Sequence, residues 1–345
     1  MEALIHSYLI SLPTVALILI IAAMLYTLSK GADILVDEAV GLSVSWGVPK
    51  MIIGATIVSL GTTLPEASVS VLAAINGNPD LALGNAIGSI ICDTGLIIGL
   101  AAIIGHLPVD RMVVERQGKI QLGAGFLLAV ISLPFWSSGE AGNISQWMGW
   151  LFLILLAIYI YTSIKWAKNP YSHESAVAGE IAVTDDVLVE NESSVVIQIL
   201  KLVGGIILVI GSSKILIPAV EISSVRVGIP QGVIAATLVA FGTSLPELVT
   251  AITAVRKGHG ELAIGNIVGA DILNVLFVTG SAAAVTSGGL DVPLNFYKLQ
   301  IPTMIIILTT FRLFSRGKNE EITKKEGCVL FGIYFVYLIL NFTWL

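Results

Sequence analysis

Apolar runs about twenty residues long, separated by short polar breaks, fill nearly the whole 345-residue chain. A helix rises about 1.5 Å per residue, so roughly 20 such residues cross the hydrocarbon core of a bilayer. The pattern predicts ten membrane helices, at 10–31, 49–76, 81–105, 118–137, 145–166, 195–219, 230–256, 261–285, 296–315 and 327–344. Between the first two, GADILVDEAVGLSVSWGVP carries Asp33, Asp37 and Glu38 and reads as an amphipathic continuation near the interface. The longest polar stretch, 167–194, holds Glu174, Glu180, Asp185, Asp186, Glu190 and Glu192, with Lys168 at its edge. It reads as a solvated linker between two halves, 1–166 and 195–345, rather than as a cation trap.

Composition agrees with the pattern. Hydrophobic residues make up 55% of the chain and charged ones 12%, with a mean hydropathy of +0.91, so lipid is the solvent for most of the surface. Cys92 and Cys328 give neither a disulfide framework nor a zinc pattern. The N-terminal apolar run has no Lys or Arg before Lys30, unlike a signal peptide. On the ten-helix plan, fifteen Lys and Arg residues fall on one side and two, Arg226 and Lys298, on the other, with Lys214 inside a helix. The positive-inside rule then predicts a multi-pass cell-membrane protein with 167–194 in the cytoplasm and both termini outside.

The polar residues inside the apolar runs repeat. Residues 47–99 and 228–280 align without a gap at an offset of 181, sharing 20 of 53 positions. The matches include Gly61 and Gly242, Pro65 and Pro246, Glu66 and Glu247, Gly84 and Gly265, and Asn85 and Asn266. An odd number of helices per half inserts the second half upside down. The predicted fold is therefore an all-α polytopic membrane protein built from two inverted five-helix repeats, an arrangement common in secondary transporters, with the site at the midplane.

A carboxylate in mid-membrane costs several kcal/mol unless it is paired, protonated or bound to a cation. Glu66 and Glu247 sit in GTTLPE and GTSLPE, near the middles of the second and seventh helices. Pro65 and Pro246 lack an N–H and clash with the carbonyl four residues back, so each frees backbone oxygens that an ion can use. Thr62, Thr63, Thr243 and Ser244 add hydroxyls within a turn, and Ser59 lies one turn earlier. The third and eighth helices offer Asn85, Ser89 and Asp93, and Asn266, Asp271 and Asn274; Ser89 and Asp93, four apart, share a face. Such oxygens are hard ligands suited to calcium and sodium, and no histidine lies in either motif to suggest zinc or copper.

These motifs, GTTLPE with GNAIGS and GTSLPE with GNIVGAD, resemble the two α-repeats of the sodium/calcium exchangers, a branch of the calcium/cation antiporter superfamily. The resemblance implies that Glu66 and Glu247 coordinate calcium, aided by Thr62, Thr63, Thr243 and Ser244. It also implies a role for Ser89 and Asp93, and for Ala270 and Asn274 opposite them, and makes the first and sixth helices the moving gate. Three departures bear on stoichiometry. Ala270 replaces the usual serine, Ile90 stands where asparagine is common, and the acidic member of the Asn/Asp pair is Asp93, in the first repeat rather than the second.

The expected activity is exchange of calcium for sodium by alternating access, with no cofactor, nucleic acid or obligatory protein partner. Calcium/proton antiport on the same carboxylates is the alternative, and another divalent ion a third reading. The proton-coupled branch carries an acidic residue after GN, absent from GNAIG and GNIVG. An intramembrane aspartyl protease using Asp93 and Asp271 is disfavoured, because Cys92 and VGAD stand where a tyrosine and GxGD belong. A passive channel is disfavoured too, since channels assemble symmetric subunits around a pore.

Overall fold

The computed structural model describes residues 2–134, 142–167, 195–228, 242–317 and 320–344, almost all of them helical. Twelve helices follow in order: α1 (Glu2–Ser11), α2 (Thr14–Trp46), α3 (Lys50–Thr62), α4 (Leu64–Ile75), α5 (Pro79–Ile104) and α6 (Arg111–Ile131). Then come α7 (Gln146–Ala167), α8 (Val195–Arg226), α9 (Leu245–Arg256), α10 (Gly260–Val285), α11 (Ile301–Phe314) and α12 (Lys324–Trp344).

Among the described residues, α2, α5, α7, α8 and α10 are long and apolar enough to cross a bilayer, and the bent pair α3/α4 makes a sixth span. The expected count of ten is not reached on that measure. Helix α6 opens on the charged turn Arg111, Glu115, Arg116 and Lys119, α9 is described only from Leu245, and α11 has fourteen residues after a π-helical turn, Phe296–Gln300. Most of the linker and the first half of the seventh expected helix lie outside the described residues. The amphipathic stretch expected to continue the first span does so as part of the same 33-residue helix, which runs past the expected end at 31 to Trp46, where Gly47 in the left-handed region ends it.

Position within the bundle follows from burial. Of the apolar window of α10, 94% is buried, against 22% for α2. The exposed faces of α2, α7 and α8 carry side chains such as Leu19, Trp150 and Ile207, suited to lipid contact. Helices α3 and α10 cross at the centre with their backbones touching. A Cβ on Gly265 would run into the Met51 carbonyl, and one on Gly269 would lie 2.5 Å from the Ala55 carbonyl oxygen. Small residues permit such an approach, and van der Waals packing there replaces the hydrophobic drive that lipid removes. On the periphery, α2 and α8 form an antiparallel pair that makes the most extensive interhelical contact among the described residues. Gly31 and Gly205 meet at their crossing, where a Cβ on Gly205 would sit 2.9 Å from the Leu35 nitrogen.

Contacts at the two ends join segments that the inverted plan puts on the same side. At the basic end, Ile322 donates its N–H to the Leu107 carbonyl, Lys257 pairs with Asp37 at 2.8 Å, and Lys201 pairs with Glu38 at 3.2 Å. At the other end, β1 (Gly142–Ile144) pairs antiparallel with β2 (Leu290–Val292), and Arg226 donates to the carbonyls of Ile10 and Leu12.

Candidate functional site

The first glutamate motif sits at a break in its helix. Between α3 and α4 the chain bends by 44° at Thr63, and Pro65 falls in the first turn of α4, where its missing N–H is tolerated. Glu66 is thereby held in the first turn of α4, fully buried. In the second copy Ser244 likewise precedes α9, with Pro246 and Glu247 in its first turn. The third and eighth helices are also irregular. Cys92–Ile97 in α5 and Asn274–Thr279 in α10 are π-helical, and they contain Asp93 and Asn274 respectively. Such turns interrupt the regular backbone ladder and recur at functional sites.

The two motifs face one another across the centre. Thr243 donates its hydroxyl to Asn85 Oδ1 at 3.0 Å, and Thr62 donates to Asn266 Oδ1 at 3.3 Å. These contacts are the same contact, related by the 181-residue offset. Asn85 Nδ2 also donates to the Glu66 carbonyl at 3.1 Å and to Ser70 Oγ at 2.9 Å. Ser244 Oγ lies 3.5 Å from Glu66 Oε1, while Thr62 and Thr63 face Glu247 without a formed hydrogen bond to it. Glu66 interacts electrostatically with Glu247 and Asp93, and Asp93 with Glu247 and Asp271, so the four form one field.

What satisfies these carboxylates differs. Both oxygens of Glu247 and of Asp93, and Oε2 of Glu66, are buried without a hydrogen-bond partner among the described residues. Asp271 is held: its Oδ2 accepts from Thr94 Oγ1 at 2.5 Å and from Gln121 Nε2 at 2.6 Å, leaving Oδ1 open. Among the described residues Asn274 has no partner for either side-chain atom, and the Thr63 hydroxyl has none. Ser59 is buried against Gly269 and donates to the Thr56 carbonyl. Buried polar atoms in native proteins are nearly always satisfied, so this concentration of open acceptors makes the cluster the candidate ion site. Among the described residues, no three of His, Cys, Asp and Glu converge closely enough to hold a metal ion. The available donor set is mixed, combining paired carboxylates with hydroxyl, amide and backbone oxygens, as hard cations require.

A cavity of about 810 Å³ leads to this cluster from the end that carries α1. Asn85, Ser89 and Thr243 lie on its wall, together with Ser213 and Lys214 of α8, Asp80 and His6.

Sequence reasoning passed over Gln121, Thr94, Ser70 and Tyr159, whose hydroxyl donates to the Ala55 carbonyl at 2.9 Å in the π turn Gly54–Val58. A usable signal existed for Gln121: Gln117 and Gln121 are polar, four apart, in an otherwise apolar run.

The family profile described as "Sodium/calcium exchanger protein" matches residues 16–165 and 197–343. The inner membrane protein YrbG of Escherichia coli (strain K12) is 32% identical over 316 residues, covering 91% of this chain and 93% of its own length. The sodium/calcium exchanger MaX1 of Methanosarcina acetivorans is 28% identical over 349 residues, covering 94% and 98%. A solved structure of the sodium-calcium exchanger NCX_Mj, soaked with zero Na+ and Ca2+, matches with a TM-score of 0.79 at 26% identity, covering 95% of this chain and 100% of that one. The profile spans both halves, and the duplicated carboxylates meet where two inverted copies cross. The chain therefore belongs to the sodium/calcium exchanger family, whose members are multi-pass membrane transporters and not enzymes.

Proposed function

We propose that this protein exchanges calcium for sodium across the cell membrane by alternating access, holding the ions between GTTLPE and GTSLPE. The observation that carries this reading is the set of open acceptors on Glu66, Glu247 and Asp93, close to a cavity lined by their neighbours Pro65, Ser89 and Pro246. Three buried carboxylates match one divalent ion, or several monovalent ions, but not an empty site. Rearranging an empty site in a low dielectric costs several kcal/mol per unpaired ion, and this penalty makes transport an obligatory exchange. Thr62, Thr63, Thr243, Ser244, Ser89 and Asn274 complete the donor set, with Ser59 and Asp271 behind them. The relatives named for sodium and calcium support the choice of ions.

The moving element is the α2/α8 pair, which packs mainly on itself while α3, α4, α5, α9 and α10 hold the site. The basic end faces the cytoplasm on the positive-inside rule, which puts both termini and the open cavity outside. The protein needs no partner beyond lipid and its ions.

The test is calcium-45 uptake into proteoliposomes loaded with sodium, with potassium-loaded and acid-loaded vesicles as controls. Uptake that requires internal sodium and vanishes in both Glu66→Gln and Glu247→Gln supports the proposal. Uptake that follows a proton gradient and ignores sodium replaces it with calcium/proton antiport, the reading favoured by the missing hydroxyl at Ala270.

A further inference from the structure

Asp93 has little of its own to hold it in place. It is buried, and neither of its oxygens has a hydrogen-bond partner among the described residues. It lies in the π turn Cys92–Ile97 of α5, where the regular backbone ladder is interrupted. The charge of Glu247 acts on it, so with no cation present like-charge repulsion works against any fixed position. The next residue supplies the support. Thr94, fully buried, donates its hydroxyl to Asp271 Oδ2 at 2.5 Å, and the same oxygen accepts from Gln121 Nε2 at 2.6 Å. One carboxylate oxygen of α10 thus ties the π turn of α5 to α6. Bonds to an ionised acceptor are roughly twice as strong as neutral ones, which suits a carboxylate to this place.

The internal repeat shows what the tie accompanies. At the offset of 181, Asp93 corresponds to Asn274, Thr94 to Val275 and Asp271 to Ile90. Val275 and Ile90 are buried and apolar, so the equivalent tie cannot form in the other half of the site. Both copies have the π turn, but only one turn carries an acid, and that is the turn held by hydrogen bonds. Asn274 is neutral and feels no such repulsion from the glutamates, and its turn is left to apolar packing.

We infer that Asp271 is a positioning residue and not an ion ligand: through Thr94, and braced by Gln121, it fixes the Cys92–Ile97 turn and with it the place of the Asp93 carboxylate in the ion site. This rests on the proposed function, in which Asp93 binds the ions. A ligand serves only when it is held within roughly 0.5 Å of the productive geometry, and the groups behind it provide that restraint. Asp93 cannot obtain it from bonds of its own, because its oxygens must stay free for the cation. The restraint therefore enters one residue later along the chain, at Thr94. Gln121 keeps Asp271 from following Thr94 if the turn shifts, since its bond holds the same oxygen from a third helix.

The experiment reads ion binding through thermal unfolding of the full-length protein in detergent. The rise in Tm with added calcium, repeated against sodium, gives an apparent affinity for each ion without requiring transport. Sodium that fails to displace calcium from the parent defeats the exchange reading alone, since the positioning of Asp93 is read from calcium. Calcium that does not bind the parent overturns both. Thr94→Val removes the hydroxyl and installs the residue that the other copy already carries; it is expected to weaken calcium about tenfold. Thr94→Ser restores the hydroxyl and should stay within about twofold of the parent. Gln121→Leu, one step further from Asp93, should weaken calcium roughly threefold. Asp271→Asn keeps an acceptor oxygen but makes both bonds neutral, and should also cost roughly threefold, whereas Asp271→Val should match Thr94→Val. In an Asp93→Asn background, where the charge that needs restraint is gone, Thr94→Val should have no further effect. The inference is overturned if Thr94→Val binds calcium like the parent, or if Thr94→Ser is as weak as Thr94→Val. It is overturned equally if Asp271→Asn abolishes binding as loss of a ligand would, or if Thr94→Val costs as much in Asp93→Asn as in the parent.

Discussion

The two copies of the repeat make one contact in common and differ in what stands behind it. In each, a threonine of one motif donates to an asparagine of the other, Thr243 to Asn85 and Thr62 to Asn266. Asn85 is also fixed by Ser70 and by the Glu66 carbonyl. Ser70 corresponds to Ala251 in the second copy, and Asn266 Nδ2 has no partner among the described residues. The carboxylates divide the other way: Asp271 of the second copy is held by Thr94 and Gln121, while Asp93 of the first is open. A symmetric backbone thus supports an asymmetric site. A rigid amide and an open carboxylate lie on one side, and a looser amide with a restrained carboxylate lies on the other.

The sharpest test asks whether this asymmetry reaches the two glutamates. Glu66→Gln and Glu247→Gln should each reduce sodium-dependent calcium uptake to background, because each removes a charge that nothing else in its copy replaces. If one variant keeps substantial exchange, the copies are unequal at the level of the ion itself.

The asparagines should separate. Asn85→Ala removes three hydrogen bonds and Asn266→Ala removes one, each bond contributing about 1 kcal/mol. The apparent calcium affinity should fall by roughly 100-fold in the first and about fivefold in the second, since each 1.4 kcal/mol is about tenfold. Equal losses would mean that the extra bonds of Asn85 do not position the site.

A smaller effect tests the supporting residue directly. Ser70→Ala should cost about 1 kcal/mol, and Ala251→Ser should recover a comparable amount by giving Asn266 Nδ2 an acceptor. Both are read as shifts in thermal unfolding in detergent. Destabilisation by Ala251→Ser would show that the second copy has no room for the hydroxyl.

The least effect near neutral pH belongs to Lys257, outside the spans. Partial burial pushes its ammonium down, but the bond and charge of Asp37, with the charge of Asp33, hold it above the usual lysine range. Its contribution is complete below the unfolded lysine value of about 10.4 and disappears as the pH rises through the folded value. Thermal stability should therefore fall at strongly alkaline pH in the parent and less steeply in Lys257→Gln.

The membrane class, the duplication and the glutamates at its centre could be read from the sequence, because hydropathy and self-similarity are local properties of the chain. The partners that distinguish the copies could not. Thr243 meets Asn85 across 158 residues, and Gln121 meets Asp271 across 150, so only packing reveals either contact. The continuation of α2 beyond residue 31 was legible as an amphipathic stretch, but the partners of its acids, Lys257 for Asp33 and Asp37 and Lys201 for Glu38, were not. The π turns were invisible because nothing in CDTGLI or NVLFVT departs from ordinary helical composition.

Those turns also bear on descent. A π turn accommodates one residue more than an α turn, which rotates everything beyond it by about 100° relative to an uninterrupted helix. The turns at Cys92–Ile97 and Asn274–Thr279 begin within one residue of each other in the repeat register, yet residues 93–98 and 274–279 have no identical pair. A backbone irregularity kept in both copies while every side chain in it changed was present before the copies parted. The ancestral half already carried the inserted residue, and losing it from either copy today would turn the far end of that helix away from its neighbours.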